Sequence, residues 1–216
     1  MATKRNQAPG GRSEGRIRAR NERNILRAAQ EVFSRKGFEG ATIAEIARAS
    51  GLPKANVYYY FGSKAGVYRA AIAALLNDWN EAFDHIAEER EPAEAIAAYV
   101  RAKLDYSRRH KAASKMFANE NIRGSSFLSR RELRSIREIT RRKAHVVRAW
   151  TAAGKLKPIE PVHFFIALWA STQFYADFDA VVSNVLGKRH LTRADFDAAA
   201  DTITRLVIDG CAANGA

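Results

Sequence analysis

The stretch that decides the fold is "GLPKANVYYYFGSKAGVY", Gly51 to Tyr68. Three consecutive tyrosines stand between a Gly-Leu-Pro corner and a second glycine, with a lysine on either side. Gly51 is a natural helix stop, and Pro53 suits the first turn of a new helix, because the amide that proline lacks would have no helical partner there. The segment ending at Phe61 is therefore a very short helix. Just upstream, Thr42 and Glu45 form a Thr-x-x-Glu capping box ahead of Ile43, Ile46 and Ala47, which predicts another short helix from Thr42 to Gly51. Two short helices joined by a tight turn containing glycine make a helix-turn-helix, whose second member lies in the DNA major groove.

The faces of that second helix sort its side chains. With Val57 directed at the core, Phe61 shares its side one turn later, and Lys54, Asn56, Tyr58 and Tyr59 point elsewhere. A tyrosine offers a rigid ring for sugars and thymine methyls and a hydroxyl for a phosphate oxygen; Asn56 can pair with an adenine edge. Ser63 caps the next helix, and Lys64 stands beside free amides that can hold a phosphate, as Thr42 does at its own helix start. The expected DNA surface is Thr42, Lys54, Ala55, Asn56, Tyr58, Tyr59 and Lys64, with Tyr60 assigned to the core.

Charge agrees with a polyanionic partner. The 216-residue chain carries a formal net charge of +13, and residues 1–70 hold 14 Lys/Arg against 5 Asp/Glu. The remaining residues hold 22 against 18, so most of the excess sits in the first third. Nucleic acid fits this asymmetry better than an anionic membrane unless an amphipathic helix argues otherwise, and no apolar run is long enough to span a bilayer. A polar, basic start without an apolar stretch predicts a cytoplasmic protein. Cys211, the single cysteine, has no partner for a disulfide and belongs to no metal-ligand cluster. No zinc-protease, P-loop, dinucleotide or nucleophile-elbow motif is present and the five histidines are scattered, so no catalytic residue, cofactor or metal is expected.

The rest of the chain reads as helices. Residues 1–15 are rich in Gly, polar and basic residues and are expected to form a disordered basic arm. From Arg16, apolar positions Ile25, Leu26, Ala29, Val32 and Phe33 recur at helical spacing up to Gly37. After Ser63 a helix is predicted to about Glu89, another from Pro92 through Leu104, and a shorter one over Ala112–Ile122. A long basic helix follows from about Phe127 to Ala153, its nine Lys/Arg between Arg123 and Arg148 taken as a solvated face. A helix from Val162 to about Leu186 is apolar nearly all round, as expected of one buried against its own domain and a partner. The last runs from about Arg193 to Cys211. No segment alternates like a strand, so the class is all-α with about nine helices, divided into the arm at 1–15, a helix-turn-helix domain at 16–62 and a helical ligand-binding and dimerisation domain at 63–216.

From Gly37 to Tyr68 the chain closely resembles the DNA-binding domain of the tetracycline-repressor (TetR) family. Gly-Phe precedes a Thr-capped helix with Ile-Ala repeats, then come a Gly-apolar corner, Tyr-Tyr-x-Phe and Ser-Lys. Pro53 stands where the family commonly has serine, and Ala65-Gly66 replaces an acidic residue and its neighbour. A narrower resemblance, carried by "YVRAKLDYS" (Tyr99–Ser107), "KMFANE" (Lys115–Glu120) and "KLKPIEPVHFFIALWASTQFYADF" (Lys155–Phe178), is to the RutR-type, pyrimidine-utilisation branch of that family. It implies a homodimer through the last two helices, double-stranded operator DNA as partner, a pyrimidine base such as uracil or thymine as effector, and control of nucleobase-utilisation genes. Trp169, Thr172 and Gln173 fall on one helical stripe and offer a flat ring beside an amide that both donates and accepts. With Trp79 as opposing wall and Asn119 and Glu120 as further polar groups, they form the expected ligand site. The same residues also suit a regulator answering another small molecule; an architectural DNA-binding protein or a basic membrane-surface protein would not need them.

Overall fold

The computed structural model describes the backbone of residues 10–212 and the side chains of residues 15–212. Among these it forms ten α-helices, one single 3-10 turn and no strand beyond an isolated bridge between Leu156 and Ala212. The chain divides into two compact units, the first ending at Ala71 and the second starting at Ile72.

In the first unit, α1 (Gly10–Gly40) buries Ile25, Ala28, Ala29, Val32 and Phe33, and its path bends at Gly37, which takes φ 67°. The helix reaches back to Gly10, so residues 10–15 are helical rather than part of the expected arm; the rest of that arm, residues 1–9, lies outside the described residues. α2 (Ile43–Ser50) starts on the predicted capping box: Thr42 Oγ1 accepts from the Glu45 amide, and the Glu45 carboxylate accepts from the Thr42 amide. It ends on Gly51 at φ 70°, the left-handed setting that glycine adopts without strain. α3 (Lys54–Phe61) follows after Pro53, and α4 (Lys64–Ala82) begins under a Ser63 cap that accepts from the Gly66 amide. Phe33, Phe38 and Tyr68 pack edge to face around the foot of α4, with ring centroids 4.8 Å (Phe33 to Tyr68) and 5.2 Å (Phe38 to Tyr68) apart.

The second unit is built round α5 (Pro92–Arg109), which packs against α8 (Pro161–Asp177) and α10 (Arg193–Cys211). α6 (Lys111–Ile122) and α7 (Arg130–Ala152) also lie on α8, and α9 (Asp179–Val185) continues from it. Tyr99, Leu104, Trp150 and Phe165 are fully enclosed in this core. On α7 the buried stripe is Thr140, Ala144, Val147 and Trp150, which leaves the arginines at 130, 131, 134, 137, 141, 142 and 148 on the exposed face. Two helices are shorter than periodicity predicts. α4 stops at Ala82, gives way to the turn Phe83–His85, and Ile86 is extended. The Val162–Leu186 helix breaks at Phe178 (φ −118°, ψ 35°) with no glycine or proline to announce it; Asp179, just beyond, is held by Lys111 and Lys115 of α6.

Candidate functional site

α3 presents its rings outward. Val57 is sealed in the core, while Tyr58 is 52% and Tyr59 75% exposed. A free phenol on an eight-residue helix has no packing to gain in that position, so the two rings are available to a partner. Lys54 and Ala55 are exposed on the first turn and Asn56 is half-buried. Tyr60 turns inward, its hydroxyl accepting from Asn21 at 3.3 Å, with the Arg18 guanidinium 5.8 Å from its ring. Thr42 is exposed, but its hydroxyl is committed to Glu45, whose carboxyl is held below the usual range chiefly by Lys36. Lys64 is drawn back over the Phe38 ring, 4.5 Å from its centroid, and donates to the Ala41 carbonyl at 3.1 Å. Lys54, Ala55, Tyr58 and Tyr59 are thus exposed on α3 with Asn56 half-buried among them, while Thr42 caps α2 and Lys64 holds the Ala41 carbonyl. Pro53 supplies no side-chain cap to α3.

The second unit contains a cavity of about 100 Å³ lined by Trp79, Phe83, Tyr99, Lys103, Phe117, Trp169 and Gln173, with Leu76, Asn80, Ile136, Ile139 and Thr140 completing the wall. Its surfaces are mostly rings. Phe83 packs 6.2 Å from Trp169, and Phe117 lies 4.9 Å from Trp79, both edge to face. Trp169 donates its indole N–H to the Tyr99 hydroxyl at 2.8 Å, which fixes one wall. The opposite indole, Trp79, has a buried N–H without a hydrogen-bond partner among the described residues. Gln173, half-buried, brings a primary amide to the same cavity. Buried polar groups are normally paired, so unpaired ones on a cavity wall are groups that a ligand can satisfy.

Of the residues expected at the ligand site, Trp79, Trp169 and Gln173 meet round this cavity. Thr172, Asn119 and Glu120 are not on its wall. Thr172 is fully buried and its hydroxyl returns to the Leu168 carbonyl at 2.7 Å, as a threonine inside a helix commonly does. Glu120 accepts from the Phe127 amide at 2.6 Å and so closes the turn between α6 and α7.

Lys103 was not expected. It is only 2% exposed, and its ammonium sits 3.7 Å from the centroid of the Trp79 ring. Burial pulls its pKa down to about 7, opposed by the charge of Asp177. Asp177 is itself raised by burial, against a 2.5 Å hydrogen bond from Ser114. A signal was present in the sequence: Ile96, Tyr99, Val100, Lys103, Leu104 and Ser107 form one helical stripe, and Lys103 is its one charged member.

Comparison with known proteins then places the chain. Residues 25–71 match the family of bacterial regulatory proteins, tetR family, and residues 72–214 match the YcdC-like protein, C-terminal region, a TetR-type C-terminal family. The chain belongs to the TetR family. This TetR-family protein is 34% identical to the HTH-type transcriptional regulator RutR of Escherichia coli strain K12 over 186 residues, 86% of this chain and 88% of the relative. It is 29% identical to the HTH-type transcriptional repressor NicS of Pseudomonas putida over 194 residues, again 86% and 88% of the two chains. Among solved structures, a TetR-family regulator from Marinobacter aquaeolei aligns with a TM-score of 0.68 at 15% identity, covering 93% of this chain and 100% of that one. PfmR from Thermus thermophilus aligns at 0.67 with 21% identity, covering 86% and 97%. These two likenesses speak for the fold alone. The family is one of transcription regulators, not enzymes, and its members bind operator DNA. Among the described residues no helix is long and apolar enough to cross a membrane.

Proposed function

We propose that this ligand-responsive TetR-family regulator is a cytoplasmic repressor whose effector is a pyrimidine base such as uracil or thymine, and that it controls genes of nucleobase use. The observation that carries this reading is a ring-lined cavity that brings the Gln173 amide and the unpaired Trp79 N–H together with the indole of Trp169. A pyrimidine edge alternates N–H and C=O. A primary amide answers both, and flat aromatic walls enclose the ring. A site built in this way also rejects analogues that leave its buried Trp79 N–H unpaired. The resemblance to RutR over most of the chain supports the same effector.

The repressor acts as a homodimer through its last helices. Phe174, Phe178, Val181, Val185, Leu186 and Leu206, on α8 to α10, are all exposed apolar side chains, with Val185 at 77% and Leu206 at 69%. That much contiguous apolar surface on a monomer marks an interface. A symmetric pair sets two copies of α3 into successive major grooves, about 34–36 Å apart. Lys54, Ala55, Asn56, Tyr58 and Tyr59 contact the duplex, and Thr42 and Lys64, which stand at the starts of α2 and α4, add phosphate contacts there. α4 begins in the first unit and ends in the second, where Leu76 and Trp79 face the cavity, so it is the element through which a ligand acts on DNA affinity. The ligand shifts that affinity by no more than its preference between the two settings of α4.

Thermal-shift screening of nucleobases tests the effector: uracil or thymine should raise the melting temperature, and the reading fails if both are silent while an unrelated compound stabilises the protein. Val185→Asp with Leu206→Asp tests the interface. Sedimentation should show a folded monomer with weakened DNA binding, and an unchanged dimer would place the interface elsewhere.

A further inference from the structure

A pyrimidine held by stacking and by the Gln173 amide makes no use of Lys103. Yet Lys103 alone among the cavity's lining residues is charged, and its ammonium is enclosed. It makes no hydrogen bond among the described residues and rests on the face of Trp79. The groups around it do not supply what an ammonium needs. From its own helix comes the neutral phenol of Tyr99; from α4, the indole of Trp79 and the neutral amide of Asn80; from α6, Phe117; from α7, Ile136, Ile139 and Thr140, whose hydroxyl is bonded to the Ile136 carbonyl; and from α8 the neutral amide of Gln173. From α8 the field of Asp177 reaches it, but that carboxylate accepts from Ser114 and lies under the opposing charge of Lys115. A buried cation without a hydrogen-bonding oxygen is costly, and a bound anion relieves that cost.

We propose that Lys103 makes the cavity selective for planar rings that carry an acidic N–H, and that such a ring is held as its anion in an ion pair with Lys103. The step needs no other reactant. The ring N–H bond breaks, the ring nitrogen keeps the electron pair, and the proton ends on the Lys103 amine. Burial lowers the Lys103 pKa to about 7, and the charge of the bound anion offsets that burial, so the amine holds the transferred proton once the ring is in place. Pyrimidine imides belong to this ligand class, so the inference rests on the proposed reading of the cavity and sharpens it: binding strength should follow the acidity of the ring N–H, not merely its shape.

The test compares uracil with 5-fluorouracil, which differs by one small atom but has a more acidic N–H, by calorimetric titration of the full-length protein at pH 7. The wild-type protein should bind 5-fluorouracil several-fold more tightly. Lys103→Met should bind both rings about 10- to 100-fold more weakly, as expected for loss of a charge-assisted hydrogen bond, and with equal affinity. Equal binding of the two rings by the wild-type protein, or an unchanged preference in Lys103→Met, overturns this inference while leaving the pyrimidine effector standing. Failure of both rings to bind the wild-type protein overturns the effector and the inference together. If Lys103→Met does not fold, Lys103→Gln takes its place, and the wild-type comparison decides without either variant.

Discussion

A Cβ built on Gly66 would stand 2.0 Å from the carbonyl oxygen of Phe61. The last residue of α3 and the first turn of α4 therefore approach more closely than any side chain allows, and this contact fixes the angle between α3 and the start of α4. Backbone, not a flexible side-chain end, is what the added atom meets, so relief requires α3 itself to move. Gly66→Ala should lower stability by at least about 2 kcal/mol in denaturant titration. It should also weaken DNA binding beyond what unfolding explains. A variant as stable as the parent would show that the α3–α4 junction is slack.

Tyr59 is the more exposed of the two outward rings of α3 and packs edge to face on its neighbour Tyr60, with ring centroids 5.1 Å apart. Tyr59→Ala should leave the melting temperature unchanged within a degree or so and cost about tenfold in affinity for operator DNA, the size of one lost contact. The check is fluorescence anisotropy on a duplex selected by the protein from random sequence. Unchanged affinity would remove Tyr59 from the interface.

Lys103 makes stability depend on pH in a stated direction. Its folded pKa of about 7 lies below the 10.5 of a lysine in an unfolded chain. Below pH 7 both folded and unfolded chains carry the proton, and the cost of burying the ammonium is fully present. As pH rises from about 7 to 10.5 the folded chain releases its proton first, so the wild-type protein gains stability across that window. Lys103→Met lacks the group. Its advantage over the wild type in urea titrations should be largest below pH 7 and vanish by about pH 10.5. A difference that stays flat with pH would show that Lys103 is not buried as a charge.

How much of this the sequence shows depends on how local the cause is. The turn at Gly51, the Thr42–Glu45 box and the outward Tyr58 and Tyr59 follow from residues within one helical turn of each other, and each is readable from spacing alone. Trp79 and Gln173 stand out because an indole and an amide on buried stripes are chemically distinctive. The break at Phe178 is not readable, because what stands beside it is tertiary, the pair of α6 lysines that hold Asp179. Thr172 and Glu120 have suitable chemistry, but their polar atoms are taken up by the backbone of Leu168 and Phe127, a competition that composition does not reveal. Lys103 was hidden by its type: lysine reads as solvent-facing, and only its register with Ile96, Tyr99, Val100 and Leu104 says otherwise.

In the proposed function, occupancy of the ring-lined cavity governs the hold of α3 on DNA. The direct measurement is anisotropy of a labelled operator duplex bound by the full-length protein, titrated with uracil, alongside the Gln173→Leu variant. Uracil should release the wild-type protein from DNA, while Gln173→Leu, equally tight on DNA at the start, stays bound at the same concentrations. Uracil that fills the wild-type cavity by calorimetry yet leaves the DNA complex intact would contradict the account.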